Sequence, residues 1–290
     1  MSRIDEELIA DYIQWRSKTT VMVAIRRKSG TVTTADTYRP IKVATVNSDI
    51  RAIKRILNIA RDWQYKTKQP RLRNLSGEEG RDRVINHDEE WVYLAAAPDL
   101  LRDFATISLD TGLRPASELC ALRWEYVHFE PAGNAKFGYV HIPRGKTKNS
   151  KRNVPLSARV KSVLERRHDE AGKPQLGYVF ARDDKEKSAI PYSTIDTQHD
   201  RTLDKLEFKF RIYDCRHTFA TGLGESGADA YTICKLMGHS NIQISARYVH
   251  PTPERLEIAL AGLDVYNQER VKAAEERAQK EAAKSLAQTA

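Results

Sequence analysis

Hydrophobic side chains recur at helical spacing over much of this chain. Apolar positions within residues 5–16 predict a first helix, and a longer stripe that begins at Thr45 predicts a second. The stripe of the second helix consists of Val46, Ile50, Ile53, Leu57 and Ala60, widened by Ile56, Ile59 and Trp63. Residues 17–45, between the two helices, show no clear period.

The helical pattern stops over residues 66–83, where Pro70, Gly77 and Gly80 stand among charged residues, as is typical of a linker. Beyond it, Asn86 followed by Glu89 three residues later marks a helix start. Further helices are predicted over residues 86–97, 100–110, 157–170, 193–206, 213–223, 229–238 and 253–262, with a short one beginning at 241.

Two short segments, residues 136–142 and 152–156, have the composition of strands and flank the basic stretch 144–151. They predict a β-hairpin with a charged tip. Taken together, the patterns predict a mainly α protein with a small β-sheet, an α+β fold. Residues 145–147 spell Gly-Lys-Thr, but no glycine precedes them at the spacing of a phosphate-binding P-loop, which excludes that nucleotide site.

The chain of 290 residues has a net charge of +9 and a pI of about 9.4, and the surplus is unevenly placed. Residues 1–84 hold 18 Lys/Arg against 10 Asp/Glu, whereas the remainder holds 30 against 29. A concentrated positive surplus beside a nearly neutral region favours a polyanion-binding surface. On the second predicted helix, Arg51, Lys54, Arg55 and Arg61 lie between the apolar positions, so we expect them to contact a DNA backbone. A merely solvated basic face is the alternative.

Three cysteines stand singly, without metal-ligand spacing, so we expect a reducing compartment and no metal. The sequence has no membrane-length apolar run and no secretory signal, so we expect no membrane partner. These features predict a cytoplasmic protein, nucleoid-associated if the source is prokaryotic.

Separated motifs carry the candidate chemistry. The first is Thr111-Gly-Leu-Arg114-Pro-Ala-Ser-Glu118-Leu. The others are Tyr213-Asp-Cys-Arg216-His217, then Gly238-His239, then Tyr248 nine residues after that histidine. Singly, each of these residues is most simply explained by packing or by a surface ion pair. An arginine, a second arginine, a histidine and a tyrosine in this order have no such simple explanation.

In this order the motifs resemble those of the tyrosine recombinases, the phage-type integrases. That family has a Thr-Gly-Leu-Arg-x-x-Glu-Leu box, a His-x-x-Arg-His box, then Gly-His and a tyrosine nine residues later. The resemblance covers residues 85–262. Two positions depart from it: Tyr213 replaces the first histidine, and three residues instead of two separate Arg114 from Glu118. Pairing with Glu118 in a structural role is the alternative explanation for Arg114.

The resemblance implies that Tyr248 attacks a DNA phosphate and forms a 3′-phosphotyrosyl link. Arg114 and Arg216 would stabilise the charge on the phosphate oxygens, because a guanidinium stays charged and binds phosphate through paired donors. His239 would donate a further hydrogen bond to the phosphate.

Three further residues are candidates by the same resemblance. Lys146, in the hairpin tip, would protonate the departing 5′ oxygen. Lys148 is the alternative for that role, and if Lys146 is the acid, Lys148 is expected to contact DNA. Tyr213 would replace the family histidine in proton transfer or phosphate bonding, although a protonated phenol is a poor base. The chemistry implies no cofactor, no metal and no ATP.

The resemblance also implies an organisation in domains. We expect a small helical core-binding domain over residues 1–66, a linker over 67–84, a tyrosine-recombinase-type catalytic domain over 85–266 and a polar helical tail over 267–290. The first domain is short for the family, so either an opening helix or a further arm-binding domain is expected to be absent. The two domains would close around double-stranded DNA.

Recombination would need a homo-oligomer on DNA, a tetramer in the synapse, in which each copy passes a C-terminal segment to its neighbour. We expect that segment at residues 254–266, with packing against its own domain as the alternative. The predicted function is site-specific DNA recombination. The alternatives are a catalytically impaired DNA-binding module derived from a recombinase, and a type IB topoisomerase-like activity.

Overall fold

The chain forms two compact units, residues 1–81 and 82–290. The structure is a computed structural model that describes residues 4–26, 32–65, 70–78, 83–133, 135–143, 151–184, 186–250 and 252–289. Among the helices in those ranges, none has the length and apolarity to cross a bilayer. Over the described residues the fold is mainly helical, as predicted, with two small antiparallel sheets. The prediction of a helical first domain is wrong in part, because one of these sheets lies there.

The first unit combines two helices with a two-stranded sheet. Helices α1 (Glu6–Lys18) and α2 (Val43–Asp62) lie where the apolar periods predict them. Strands β1 (Thr20–Arg26) and β2 (Val32–Pro40) pair antiparallel in the stretch without a clear period. Their β-branched residues favour extended backbone.

The apolar face of α2 is narrower than predicted. The helix buries Val46, Asn47, Ile50, Leu57 and Ala60. Ile56 and Trp63, which the pattern placed on the same stripe, are 58% and 67% exposed, so the predicted widening of the stripe is wrong at both positions. Asn47 is buried instead because its amide is bonded on both sides: Nδ2 donates to the Leu75 carbonyl and Oδ1 accepts from the Leu75 N–H.

The second unit is built around a central helix. Its first helices are α3 (His87–Ala96) and α4 (Asp99–Thr111), and Asn86 caps α3 through the predicted reciprocal bonds with Glu89. Helix α4 supplies the core with Leu101, Phe104, Ala105 and Ile107, none of which has exposed surface. Helices α5 (Ala158–Glu170) and α6 (Tyr192–Leu203) pack on it.

A three-stranded antiparallel sheet lies beside these helices in the order β3-β4-β5. Strands β4 (Tyr139–Ile142) and β5 (Arg152–Pro155) form the predicted hairpin, with Val140 opposite Val154. The short β3 (Val127–His128) adds a third strand that the pattern did not indicate. The hairpin tip at 144–150, with Lys146 and Lys148, lies outside the described residues.

A π-helical turn, Pro115–Leu119, follows α4. The Leu119 N–H donates to the Arg114 carbonyl and the Cys120 N–H to the Pro115 carbonyl, both at 3.0 Å. Such i to i+5 bonds enclose one residue more than an α-helical turn. The wider turn therefore accommodates the extra residue that separates Arg114 from Glu118.

The remaining helices are α7 (Asp214–Glu225), α8 (Ala230–Met237), α9 (Ile242–Ala246) and α10 (Pro253–Thr289).

The predicted end of α7 at residue 223 is wrong, because Gly222 and Gly224 both lie within the helix. A Cβ on Gly224 would stand 1.9 Å from the Tyr248 carbonyl oxygen. This glycine is therefore required by the close approach of another segment and does not end the helix.

Candidate active site

Arg114 lies at the junction between α4 and the π-helical turn. Gly112 ends α4 with φ +59°, and a Cβ there would stand 2.4 Å from the Phe219 ring. Beyond this turn, Nη1 of Arg114 donates to Glu118, whose other oxygen accepts from the Arg114 backbone N–H at 3.0 Å. The structural pairing with Glu118 is thus present, and it orients the guanidinium.

Glu118 also binds a second arginine. Arg152, at the start of β5, donates to Glu118 through Nη1 at 3.1 Å and Nη2 at 2.9 Å. Burial raises the pKa of Glu118, but hydrogen bonds and positive charge from Arg152 and then Arg114 outweigh it, so its pKa lies below the ordinary value. The carboxylate is a buried counterion shared by two guanidiniums.

Arg216 projects from the first turn of α7 and is only 2% exposed. Its guanidinium donates to the carbonyls of Gly112 and Met237. Burial and the positive charge of Arg114 lower its pKa to about 10, which still leaves it charged at neutral pH. These two bonds use part of the five N–H donors of the side chain, so the group is fixed and retains donors for a phosphate.

The C-terminal end of α8 holds all three arginines. The carbonyls of three consecutive residues, Leu236, Met237 and Gly238, accept from Arg152, Arg216 and Arg114 respectively. The last carbonyls of a helix lack partners within it and carry partial negative charge. The helix end therefore gathers three guanidiniums at one place, and His239 is the next residue.

His239 is 8% exposed, and its Nδ1 lies 2.8 Å from Oγ of the fully buried Ser245. Burial, followed by the charges of Arg216 and Arg114, lowers its pKa to about 4. The ring is consequently neutral at neutral pH. In the tautomer in which the Ser245 hydroxyl donates to Nδ1, the ring hydrogen is on Nε2, from which it can be donated to an anion.

Tyr248 is 9% exposed and packs in an apolar cluster with Ala220, Ile233 and Met237. Its hydroxyl oxygen lies 2.7 Å from Nδ1 of His217, the residue that follows Arg216. Its ring lies nearly parallel to that of His239, with centroids 6.5 Å apart. The structure thus joins Tyr248 directly to α7 and to His239.

Tyr213 is the N-cap residue of α7 and is 43% exposed. Its ring meets the His217 ring edge-on, with centroids 5.6 Å apart.

Of the predicted catalytic residues, Arg114, Arg216, His239 and Tyr248 are brought together, and Tyr213 joins them through His217. Lys146 and the alternative Lys148 belong to the undescribed hairpin tip.

Sequence reasoning missed His217 and Arg152. His217 stands within the quoted Arg-His motif, and the signal that could have found it is its adjacency to Arg216. Arg152 is the first residue of a predicted strand, directly after the charged hairpin tip. No local pattern indicates that its side chain is buried beside Glu118.

The predicted DNA-contact residues of the first unit lie along α2. Arg51 lies 3.4 Å from Glu78, Lys54 donates to Asn74 at 3.0 Å, and Arg61 lies 3.3 Å from Asp62. Arg55 is exposed. Exposed ion pairs of this kind contribute little stability, so they can be exchanged for phosphate contacts at small cost.

The sequence profile of the phage integrase family matches residues 83–255, more than half of the chain. The chain belongs to this family. The matched region contains the residues gathered around the end of α8: Arg114, Glu118, Arg152, Arg216, His217, His239 and Tyr248.

Curated proteins with similar sequences are named as recombinases and integrases. A tyrosine recombinase of Pseudothermotoga lettingae is 35% identical over 153 residues, covering 51% of this chain and 49% of that protein. Tyrosine recombinase XerC of Pediococcus pentosaceus is 29% identical, covering 61% and 58%. The integrase of Salmonella phage P22 is 26% identical, covering 79% and 60%. The chain thus spans about half the length of the curated relatives it matches.

Solved structures share the fold. The Tn1549 transposon integrase, in complex with circular intermediate DNA, aligns with a TM-score of 0.61 at 20% identity, covering 89% of this chain and 86% of that one. XerH recombinase bound to its difH substrate aligns with a TM-score of 0.60 at 20% identity, covering 90% and 71%. At these identities the likeness concerns the fold.

Proposed function

We propose that this protein is a site-specific DNA recombinase that cleaves and rejoins strands through a 3′-phosphotyrosyl intermediate, without metal or ATP. The observation that carries the proposal is the convergence of Tyr248, His239 and the Arg114–Arg216 pair around the C-terminal end of α8. A buried tyrosine beside a cluster of fixed guanidiniums suits attack on a phosphodiester. Family membership and relatives named as recombinases support it.

In this proposal, Tyr248 attacks the phosphorus and takes over the ester bond that the 5′ oxygen leaves. Arg114 and Arg216 bind the nonbridging oxygens, where negative charge increases in the transition state, and their fixed positions avoid reorganisation at that moment. Neutral His239 donates from Nε2 to the same phosphate. Lys146, or Lys148, gives a proton to the leaving 5′ oxygen.

The first unit would supply much of the binding to double-stranded DNA. Its positive surplus and the cations of α2 (Arg51, Lys54, Arg55 and Arg61) support an electrostatic contact with phosphates, which would weaken steeply with salt. We assign core binding to residues 1–66, the linker to 67–84 and catalysis to 85–266.

Assembly on DNA would use α10. Every described side chain from 252 to 279 is exposed, including Leu256, Ile258 and Leu260. This exposure supports exchange with a neighbouring copy over the alternative in which the segment packs against its own domain. An exposed apolar helix fits exchange between neighbouring copies, closing as a ring of four in a cytoplasmic complex on DNA.

The test is covalent capture. Duplexes carrying nicks, selected from a random library by the wild-type protein, should yield an adduct that survives denaturing electrophoresis. We expect Tyr248→Phe to retain DNA binding and to form no adduct. An undiminished adduct in that variant would place the nucleophile elsewhere. Relaxation of a plasmid lacking the selected site would favour a topoisomerase, and binding without any adduct would favour an impaired DNA-binding module.

A further inference from the structure

The imidazole that meets Tyr248 comes from an unexpected position on α7. The family's usual histidine position holds Tyr213, whose phenol is exposed and touches the His217 ring at its edge. His217 lies one helical turn later, on the same face of the helix. Its Nδ1 is 2.7 Å from the Tyr248 hydroxyl oxygen, a normal hydrogen-bond distance.

The direction of this hydrogen bond follows from the protonation state of a phenol. A phenol that keeps its proton donates its O–H, so Nδ1 of His217 is the acceptor when Tyr248 is the donor. The accepting imidazole is then neutral and carries its hydrogen on Nε2. A nucleophilic tyrosine must lose this proton, and Nδ1 of His217 is the atom already placed to receive it.

The other groups of the site are unsuited to accept the proton. Nδ1 of His239 lies 2.8 Å from Oγ of Ser245, and when that hydroxyl donates, Nε2 of His239 carries the ring hydrogen and cannot accept a proton. Arg114 and Arg216 are guanidiniums, which donate but do not accept. Tyr213 is itself a phenol. Among the described side chains around Tyr248, His217 is thus the base in position.

We propose that His217 is the general base that activates Tyr248, with Tyr213 supporting its ring. This assignment rests on the proposed recombinase function. In cleavage, the Tyr248 O–H bond breaks and its proton moves to Nδ1 of His217. The phenolate oxygen bonds to phosphorus, the bond from phosphorus to the 5′ oxygen breaks, and that oxygen takes a proton from the general acid. In rejoining, the 5′ hydroxyl returns its proton to the general acid and bonds to phosphorus, the bond from phosphorus to the Tyr248 oxygen breaks, and the His217 imidazolium gives its proton to that oxygen.

A pair of variants separates catalysis from positioning. His217→Asn keeps an oxygen close to the place of Nδ1, so it preserves the hydrogen bond but accepts no proton. His217→Ala removes both the hydrogen bond and the proton acceptor. We expect each variant to slow single-turnover adduct formation on the selected nicked duplex by about 100-fold, the usual size of general-base catalysis, with DNA affinity unchanged. His128→Asn, an exposed imidazole on β3, is the matched control and should cleave like wild type.

A more acidic nucleophile provides the decisive readout. With 3,5-difluorotyrosine at position 248, the phenol ionises more readily, so it depends less on a base. We expect this replacement to recover about tenfold of the rate in the His217→Asn background and to change the wild-type rate little. Wild-type speed in His217→Asn, or no recovery with the fluorinated residue, would overturn the assignment. If wild-type protein forms no adduct with any duplex, the proposed function fails first.

Discussion

Glu118 has no exposed side-chain surface, and it lies between two guanidiniums whose side chains are 21% and 6% exposed. A buried carboxylate without partners would be strongly destabilising, whereas this one has bonds to Arg114 and Arg152. The carboxylate stabilises the fold and also orients Arg114. The extra residue in the first motif therefore changes the turn that carries Glu118 and preserves its contact.

Glu118→Gln should lower the free energy of unfolding by about 3 kcal/mol at neutral pH, because it leaves the buried Arg152 and the partly buried Arg114 without their shared counterion. The pKa of Glu118 in the folded state lies below its ordinary value of 4.5. Its charge therefore stabilises the fold fully above that pH, and this contribution is lost as the pH falls through the lowered pKa. Glutamine does not titrate, so the difference between the two proteins should shrink in acid.

Urea unfolding at neutral pH and at several acidic values measures this difference. Glu165→Gln is the matched control, since Glu165 is 49% exposed and lies 3.6 Å from Lys161. Its effect should stay within about 0.5 kcal/mol. A constant difference for Glu118→Gln down to the lowest pH would contradict the buried-counterion role.

Tyr213→His should be tolerated. Tyr213 is 43% exposed and touches the site through the edge of His217, so the substitution removes little buried surface and places the family's usual residue there. We expect normal DNA binding and cleavage at or above the wild-type rate, measured in single turnovers over about pH 6 to 9, the range in which an introduced histidine changes its charge. Cleavage slower by about 100-fold throughout that range, with normal binding, would show that the phenol itself is required.

At the scale of elements, the site depends on where helices end and cross. The end of α8 presents three consecutive carbonyls to three arginines, and the end of α4 presents the Gly112 carbonyl to Arg216. Arg216 and His217 are adjacent on helix α7 but bond to different partners. Arg216 donates to the Gly112 and Met237 carbonyls, and His217 lies against the Tyr248 hydroxyl. The Tyr248 backbone crosses α7 at Gly224.

Gly224→Ala should reduce covalent adduct formation strongly, because the added methyl would meet the Tyr248 carbonyl at 1.9 Å and displace the nucleophile. Gly222→Ala is the matched control in the same helix, since a Cβ there has no atom within 4 Å. Alanine inside a helix is favoured over glycine by roughly 0.5–1 kcal/mol, so this variant should be more stable and equally active. Thermal unfolding and single-turnover cleavage measure both effects, and equal activity of the two variants would contradict the proposed crossing.

At the scale of the whole molecule, two properties are unevenly distributed. The positive surplus belongs to residues 1–84, and the exposed apolar surface of α10 belongs to the C-terminal end. Over residues 253–279 of α10, the large apolar side chains that the structure describes are Leu256, Ile258, Leu260, Leu263, Val265, Tyr266 and Val271, all exposed. Exposed residues of this size over several helical turns favour a contact with another copy.

Truncation after Val271 should leave recombination nearly intact, because the removed residues hold few large apolar side chains. Truncation after Thr252 should spare binding to a single half-site and abolish cooperative assembly, because it removes the whole proposed contact. Gel shifts on duplexes with one and two half-sites separate these outcomes. Cooperative filling of two half-sites by the shorter protein would place the contact outside α10.

The sequence by itself determined most of the helices and predicted the main residues of the candidate site. Apolar periods and the Asn86–Glu89 cap depend on neighbours three or four positions apart, so they can be recognised without the fold. The order of the motifs likewise identified Arg114, Arg216, His239 and Tyr248, although their roles stay predictions.

Only the tertiary structure decided which side chains meet. The His217–Tyr248 bond spans 31 residues and the Glu118–Arg152 bonds span 34, and no local pattern specifies such pairs. The sequence pattern also made Gly224 a helix terminator, and only the structure shows that the Tyr248 backbone crosses the helix there. The exposure of Ile56 and Trp63 was likewise not evident from the apolar period. Burial and pairing are set by the path of the backbone between distant segments, and that path follows from packing the whole core at once.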